Sequence, residues 1–272
     1  MQTKAVILGM GAPNRCRDGR ATMCAIALSR EYGLIRIYPL RVGDPDVRVW
    51  SVCELEAEPT SKDTRKESWR LLNIHPVGVI ERREHRADIL SRCLLQPAGD
   101  DPIDFQNRFN LSIAVVEGSL EAAIMTRGEG QEPPQCGEAD SWIHCQKESP
   151  LKPMLRWRSA AGACHESHIV SREAYEYLRK FPLDASRLFT NYQVFNPEYR
   201  HWLVLGNMKN RRNVWVVVHI HRMKRPVRPE AGHEFAALQG DGWPYWNHFI
   251  AAAKTAEEPQ QVFPFLCKVA TA

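Results

Sequence analysis

The stretch HWLVLGN, then Lys209-Asn210-Arg211-Arg212, then NVWVVVHIHRM constrains the fold most. It reads as two long β-strands joined by a basic turn. Two such strands need sheet partners, and the chain supplies several short apolar runs. KAVILGM reads as a first strand, and TMCAIAL with LIRIYPL as a hairpin across the turn SREYG. VRVWSVCELEAE reads as another strand, PTSKDTRKESWRL as a loop leading into a short one, and MLRWRSA as a strand. SIAVVEG and LEAAIMTR are strands or short helices. ERREHRADILSRCLL carries Ile89, Leu90, Cys93 and Leu94 at helical spacing. SREAYEYLRKF opens with Ser171 as a helix N-cap. The mixture predicts an α+β chain.

With 272 residues, 44% hydrophobic and 25% charged, the chain can build an ordinary core. No run of 18 apolar residues is present, so no membrane-spanning helix is expected. At the N-terminus Arg15 and Arg17 stand where a signal peptide would need small residues. The eight cysteines are scattered without a CxxC pair, which fits reduced thiols in a cytoplasmic protein. Residues 128–153 are rich in Gly, Pro and acids and read as a boundary or long loop.

Net charge is only +4, but its distribution is uneven. Between Arg200 and Arg228 there are eight Lys or Arg and no Asp or Glu. A local field of one sign attracts a polyanion. Strand alternation would put Val214, Val216, Val218 and Ile220 on one face, with Trp215, Val217, His219 and His221 on the other. If the second face is exposed, it offers rings for base stacking beside a phosphate-binding turn. The other reading packs Trp215 under a neighbouring helix. The candidate nucleic-acid contacts are Lys209, Arg211, Arg212, Trp215, His219, His221, Arg222 and Lys224. Arg15, Arg17, Arg20 and Arg36 would extend the same surface.

Cys164, His165 and His168 form a short CHxxH cluster, with Cys136 and Cys145 upstream. Zinc needs four such ligands in tetrahedral order, so the cluster is a candidate metal site that lacks a second close pair. Glu54, Glu56 and Asp63 are candidate Mg²⁺ ligands for a nuclease. The alternating Asp63, Arg65, Glu67 and Arg70 read as ion pairs anchoring a loop, or as an arginine held to fork onto a phosphate. Gly9-x-Gly11 follows a strand, but Asn14 and the residues after it do not open a helix that would hold a pyrophosphate. Trp243, Tyr245 and Trp246 sit in a tail read as helical and would suit a protein-docking anchor.

Several of these segments together resemble a poorly characterised prokaryotic and phage family. Thr22, Cys24 and Ala25 match its TVCTAG segment, and Arg36, Ile37, Tyr38 and Pro39 its RIYP strand. Trp50 and Glu54 match a W-x-x-x-E strand, while Asp63, Arg65, Glu67, Ser68 and Arg70 match D-x-R-x-E-S-x-R. LRWRSAAGACHESH and WLVLGNMKNRRNVWVVV fit its second half loosely. The pattern is similar to dual-OB-type proteins. That resemblance implies a β-barrel-like architecture. Together with the segment readings it gives the expected organisation: two small β-barrel (OB-like) halves at 1–127 and 154–228, a linker or long loop at 128–153, inserted helices and a C-terminal helical tail at 229–272. By analogy it implies binding of single-stranded or structured nucleic acid within a larger phage- or defence-related assembly. Nucleic-acid binding is expected ahead of catalysis.

Overall fold

The computed structural model describes residues 1–16, 20–29, 31–42, 47–95, 100–128, 149–181 and 184–225. The first six strands are β1 (Gln2–Met10), β2 (Asn14–Arg15), β3 (Ala21–Ser29), β4 (Gly33–Arg41), β5 (Ser51–Pro59) and β6 (Ser68–Val79). β1 pairs with both β3 and β5, β5 with β6, β6 with β4, and β4 with β3. Five strands therefore close into a barrel, and only β4–β6 is parallel. The strand expected from Val47 starts at Ser51, because Trp50 takes a left-handed φ of 74°. So bulky a residue holds that conformation only when its surroundings fix it. Here the Trp50 amide donates to Ile7, its carbonyl accepts from Ile80, and its ring lies 4.7 Å from that of His221.

Next come α1 (Arg83–Cys93) and α2 (Pro102–Arg108). α1 matches the apolar spacing of Ile89 and Leu90, both buried. α2 was not foreseen, although its signals are local: Asp101 caps the amides of Ile103 and Asp104, and Pro102 sits at the first helical position. The remaining elements are β7 (Ile113–Glu117), β8 (Ser119–Arg127), β9 (Leu151–Arg158), β10 (Cys164–His168), α3 (Arg172–Lys180), α4 (Arg187–Asn191), β11 (Tyr199–Met208) and β12 (Arg211–Lys224). Ser171 caps α3 as predicted, accepting from the Ala174 amide at 3.1 Å.

The later strands form two three-stranded sheets, β8–β9–β10 and β7–β11–β12. Gly118 alone separates β7 from β8, and a parallel bridge between Ile169 and Val217 links the end of β10 to β12. The boundary expected at 128–153 therefore moves. β7 and β8 pair with β11 and β9, so they belong with the second set of strands. The stretch between Gly128 and Ser149 connects two hydrogen-bonded neighbours within one sheet. The expected C-terminal helix lies outside the described residues.

Three apolar cores result. Ala5, Ile7, Ala25 and Ala27 fill the closed barrel. Ala114, Val116, Trp157, Leu203 and Leu205 fill the second unit. Between the two lie Val6, Leu8, Ile26, Leu28, Ile113, Val115, Trp202 and Val204, with Ile89 and Leu90 of α1. Alternate residues of β1, β3, β7 and β11 thus point into a unit and into the seam. Strands covered on both faces read as unbroken apolar runs, as KAVIL, SIAVV and WLVL do.

The seam is close at Gly9, where an added Cβ would lie 2.9 Å from Cβ of His219. Gly9→Ala is expected to lower stability by about 1–3 kcal/mol in urea denaturation. Gly78, with nothing within 4 Å of its would-be Cβ, is the matched control. Equal midpoints for the two alanine variants would refute the close contact.

Candidate functional site

The predicted basic residues separate into three environments. Lys209 and Arg211 are exposed at the β11–β12 turn and make no ion pair among the described residues. Arg212 is tied down, donating to Asn110 Oδ1 at 2.6 Å and to Thr64 Oγ1. Arg222 and Lys224 are exposed at the far end of β12, where Lys224 pairs with Glu198 at 3.1 Å. Arg15 and Arg20 are exposed beside β2 and both have partners, whereas Arg17 lies outside the described residues.

The stacking face expected on β12 does not form. The register jumps from Val204↔His219 to Leu205↔Val217, so a bulge at Val218 reverses the alternation. Trp215 and Val217 share the second unit's core with Ile220, and the Trp215 indole N–H donates to Asn107 Oδ1 of α2 at 3.0 Å. His221 faces the seam, buried, with Nε2 2.8 Å from the Leu8 carbonyl oxygen. Burial and the neighbouring His219 hold the His221 imidazole well below its ordinary pKa. His219 pairs with Glu173 at 3.2 Å. Of the two readings of Trp215, the one under a helix holds.

Arg36 is buried rather than exposed to a ligand. Its Nη2 donates to the Ser112 carbonyl at 2.7 Å and its Nη1 to the Asn207 carbonyl at 3.4 Å. Arg65 donates to the same Asn207 carbonyl at 2.7 Å and is gripped by Asp63 through Nε at 2.9 Å. Glu67 accepts from the Ser112 amide at 2.7 Å and its hydroxyl at 3.0 Å. A Cβ on Gly206 would stand 3.1 Å from Arg36 Nη2, so glycine lets the guanidinium approach. Arg36, Arg65 and Glu67, with Asp63 holding Arg65, therefore clamp the barrel onto β7 and β11. Burial lowers the Arg36 pKa. Burial also works to raise the Asp63 carboxyl, but the hydrogen bonds and charge of Arg65 outweigh it and bring it to about 2.

The metal candidates do not converge. Along β10, His165 turns inward to stack on Trp157 at 4.4 Å and meets Asp101 at 2.9 Å. Cys164 and His168 face outward, four residues apart on the strand. Cys136 and Cys145 lie outside the described residues. Glu54 and Glu56 share an exposed face with Glu54 near Lys4, while Asp63 is held by Arg65. Among the described residues no group of three His, Cys, Asp or Glu is placed to share an ion. The five described cysteines are free thiols. Trp243, Tyr245 and Trp246 fall outside the described residues.

A basic face absent from the predicted set lies on β9. Leu155 and Trp157 point into the core, so Lys152, Met154, Arg156 and Arg158 point out. Glu121, at a bulge in β8, holds Arg158 at 2.6 Å and Arg156 at 3.7 Å. Lys152 makes no ion pair among the described residues. The signal was present in LKPMLRWR, where cationic and apolar residues alternate.

Residues 1–93, the closed barrel and α1, match a family described as a domain of unknown function (DUF8758). No curated protein matches the chain. No helix among the described residues is long and apolar enough to cross a membrane.

The clamp has two measurable consequences. Arg36→Met is expected to cost about 1.5–3 kcal/mol of unfolding free energy, the range for hydrogen bonds to a charged group. The folded-state pKa of Asp63 lies below its ordinary 3.8, so its contribution is complete above that value and is lost as pH falls towards about 2. Asp63→Asn should therefore be the less stable protein at neutral pH and lose less on acidification through that window. Parallel stability–pH curves for the two proteins would contradict the clamp.

Proposed function

We propose that the chain binds nucleic acid across the outer face of β9 and β10, with the β11–β12 turn as a flanking contact. The observation that carries this reading is the row Lys152, Arg156 and Arg158 on one strand face, with both arginines exposed and the lysine half-buried among the described residues. Arginines and a lysine at alternate positions present separate donors to successive phosphates. Glu121 orients Arg158 without using all of its N–H groups: Nε goes to Glu121 and Nη1 to the Gly162 carbonyl.

The strand orders support an OB-like reading of both units. In the barrel, β1, β3, β4, β5 and β6 taken as strands one to five give the order 1-2-3-5-4 closing on 1, with a parallel 3–5 pair. In the second unit, β7 and β8 taken as one bent strand, followed by β9, β10, β11 and β12, give the same order. The Ile169↔Val217 bridge stands in the parallel place, and α3 lies between the third and fourth strands. Barrels of this type take oligonucleotides or oligosaccharides on strands two and three and the flanking loops. That step is an analogy of fold. In the barrel, those strands carry Ile26, Leu28 and Arg36 into the seam, so the second unit occupies the face. In the second unit, the equivalent strands are β9 and β10, and the fourth loop holds Lys209 and Asn210.

Fluorescence anisotropy with short single-stranded DNA, RNA and duplex probes across a salt series tests the reading. Binding should weaken steeply with salt, as counterion release requires. Lys152→Glu with Arg156→Glu should abolish binding, and Lys209→Ala with Arg211→Ala should weaken it and flatten the salt slope. Absence of binding to every probe at low salt would refute the proposal.

A further inference from the structure

The outer face of β8, β9 and β10 is organised in cross-strand rows. Thr126 stands opposite Lys152; Ile124 opposite Met154, which is opposite His168; Ala122 opposite Arg156, which is opposite Glu166. Successive rows are two residues apart along each strand, about 7 Å. The middle row is apolar and aromatic and is bracketed by a lysine row and an arginine row. Ile124 and His168 are exposed and Met154 half-buried. Exposed apolar side chains at this position leave a face that water covers poorly and a flat ring would cover well.

We infer that the row Ile124–Met154–His168 is a nucleobase platform, and that the ligand of this face is a single strand whose bases are free to turn towards the sheet. This rests on the proposed nucleic-acid reading and narrows its ligand class. A duplex presents phosphates with its base faces stacked away, so it can satisfy Lys152 and Arg156 but leaves the row between them uncovered. An unpaired base places its π-face on the thioether and imidazole while its two flanking phosphates meet the cationic rows. Burial, with Lys152 close by, keeps the His168 imidazole below its ordinary pKa. A neutral ring there favours stacking over phosphate pairing. The two carboxylates of this face sharpen the selection. Glu121 is neutralised by Arg156 and Arg158, and exposed Glu166, opposite Arg156, disfavours the second backbone of a duplex.

The test is anisotropy of the full chain with a labelled oligothymidylate of about twelve nucleotides. It is compared with the same sugar–phosphate strand lacking bases and with a duplex of equal length. The oligothymidylate should bind about tenfold or more tighter than the abasic strand, as one stacked base predicts. His168→Ala with Met154→Ala should erase most of that difference and leave abasic binding unchanged, a readout that a folding defect would not produce. Equal binding of abasic strand, duplex and oligothymidylate would overturn the platform while the basic-face reading stands. Loss of binding to all three would overturn both.

Discussion

The buried guanidinium of Arg36 is the constraint around which the two units are arranged. A charge taken out of water must be hydrogen-bonded to persist. Arg36 meets that need in part: its two Nη atoms reach carbonyls of Ser112, just before β7, and Asn207, near the end of β11, while its Nε is buried without a partner. Arg65 adds a second cation on Asn207, and Asp63 and Glu67 supply the counter-charges. The arrangement has meaning only when the barrel sits on the second unit, so it specifies one docking register within a largely apolar seam that also holds the buried polar contact of His221 with the Leu8 carbonyl. Gly9 and Gly206 permit the approach by omitting side chains where the two units come closest.

That docking makes two topologically similar units unequal. In the barrel the outer faces of β3 and β4 are spent on the seam. In the second unit the outer face of β9 carries exposed Arg156 and Arg158 with half-buried Lys152, and β10 beside it turns Cys164, Glu166 and His168 outward. Under the proposed reading, one ligand face is assigned to cohesion and the other is left for recognition. The cationic β11–β12 turn is anchored beside the clamp, since Arg212 reaches both Asn110 of the second unit and Thr64 of the barrel.

The strands and the capped helix α3 were legible because their signals are local: apolar runs, turn residues, a serine cap. The runs were more informative than their length suggests. KAVILGM lacks polar alternation because both of its faces are buried. The stacking face on β12 was misread for a physical reason. Periodicity two holds only while the register does, and the bulge at Val218 exchanged the faces beyond it. The ion-pair reading of Asp63 and Arg65 was available from their spacing. Their partner Asn207 lies 142 residues beyond Arg65, and nothing in either segment announces it. Lys152 was hidden by its placement in a boundary segment, although its alternation with Arg156 and Arg158 continues the strand that MLRWRSA announces.

Hydrogen–deuterium exchange of the full chain, with and without a bound oligonucleotide, tests most directly whether one face is spent and the other open. The account requires new protection on β9, β10 and the β11–β12 turn, with the already protected β3 and β4 unchanged. Protection gained on β3 and β4, with none on β9 and β10, would contradict it.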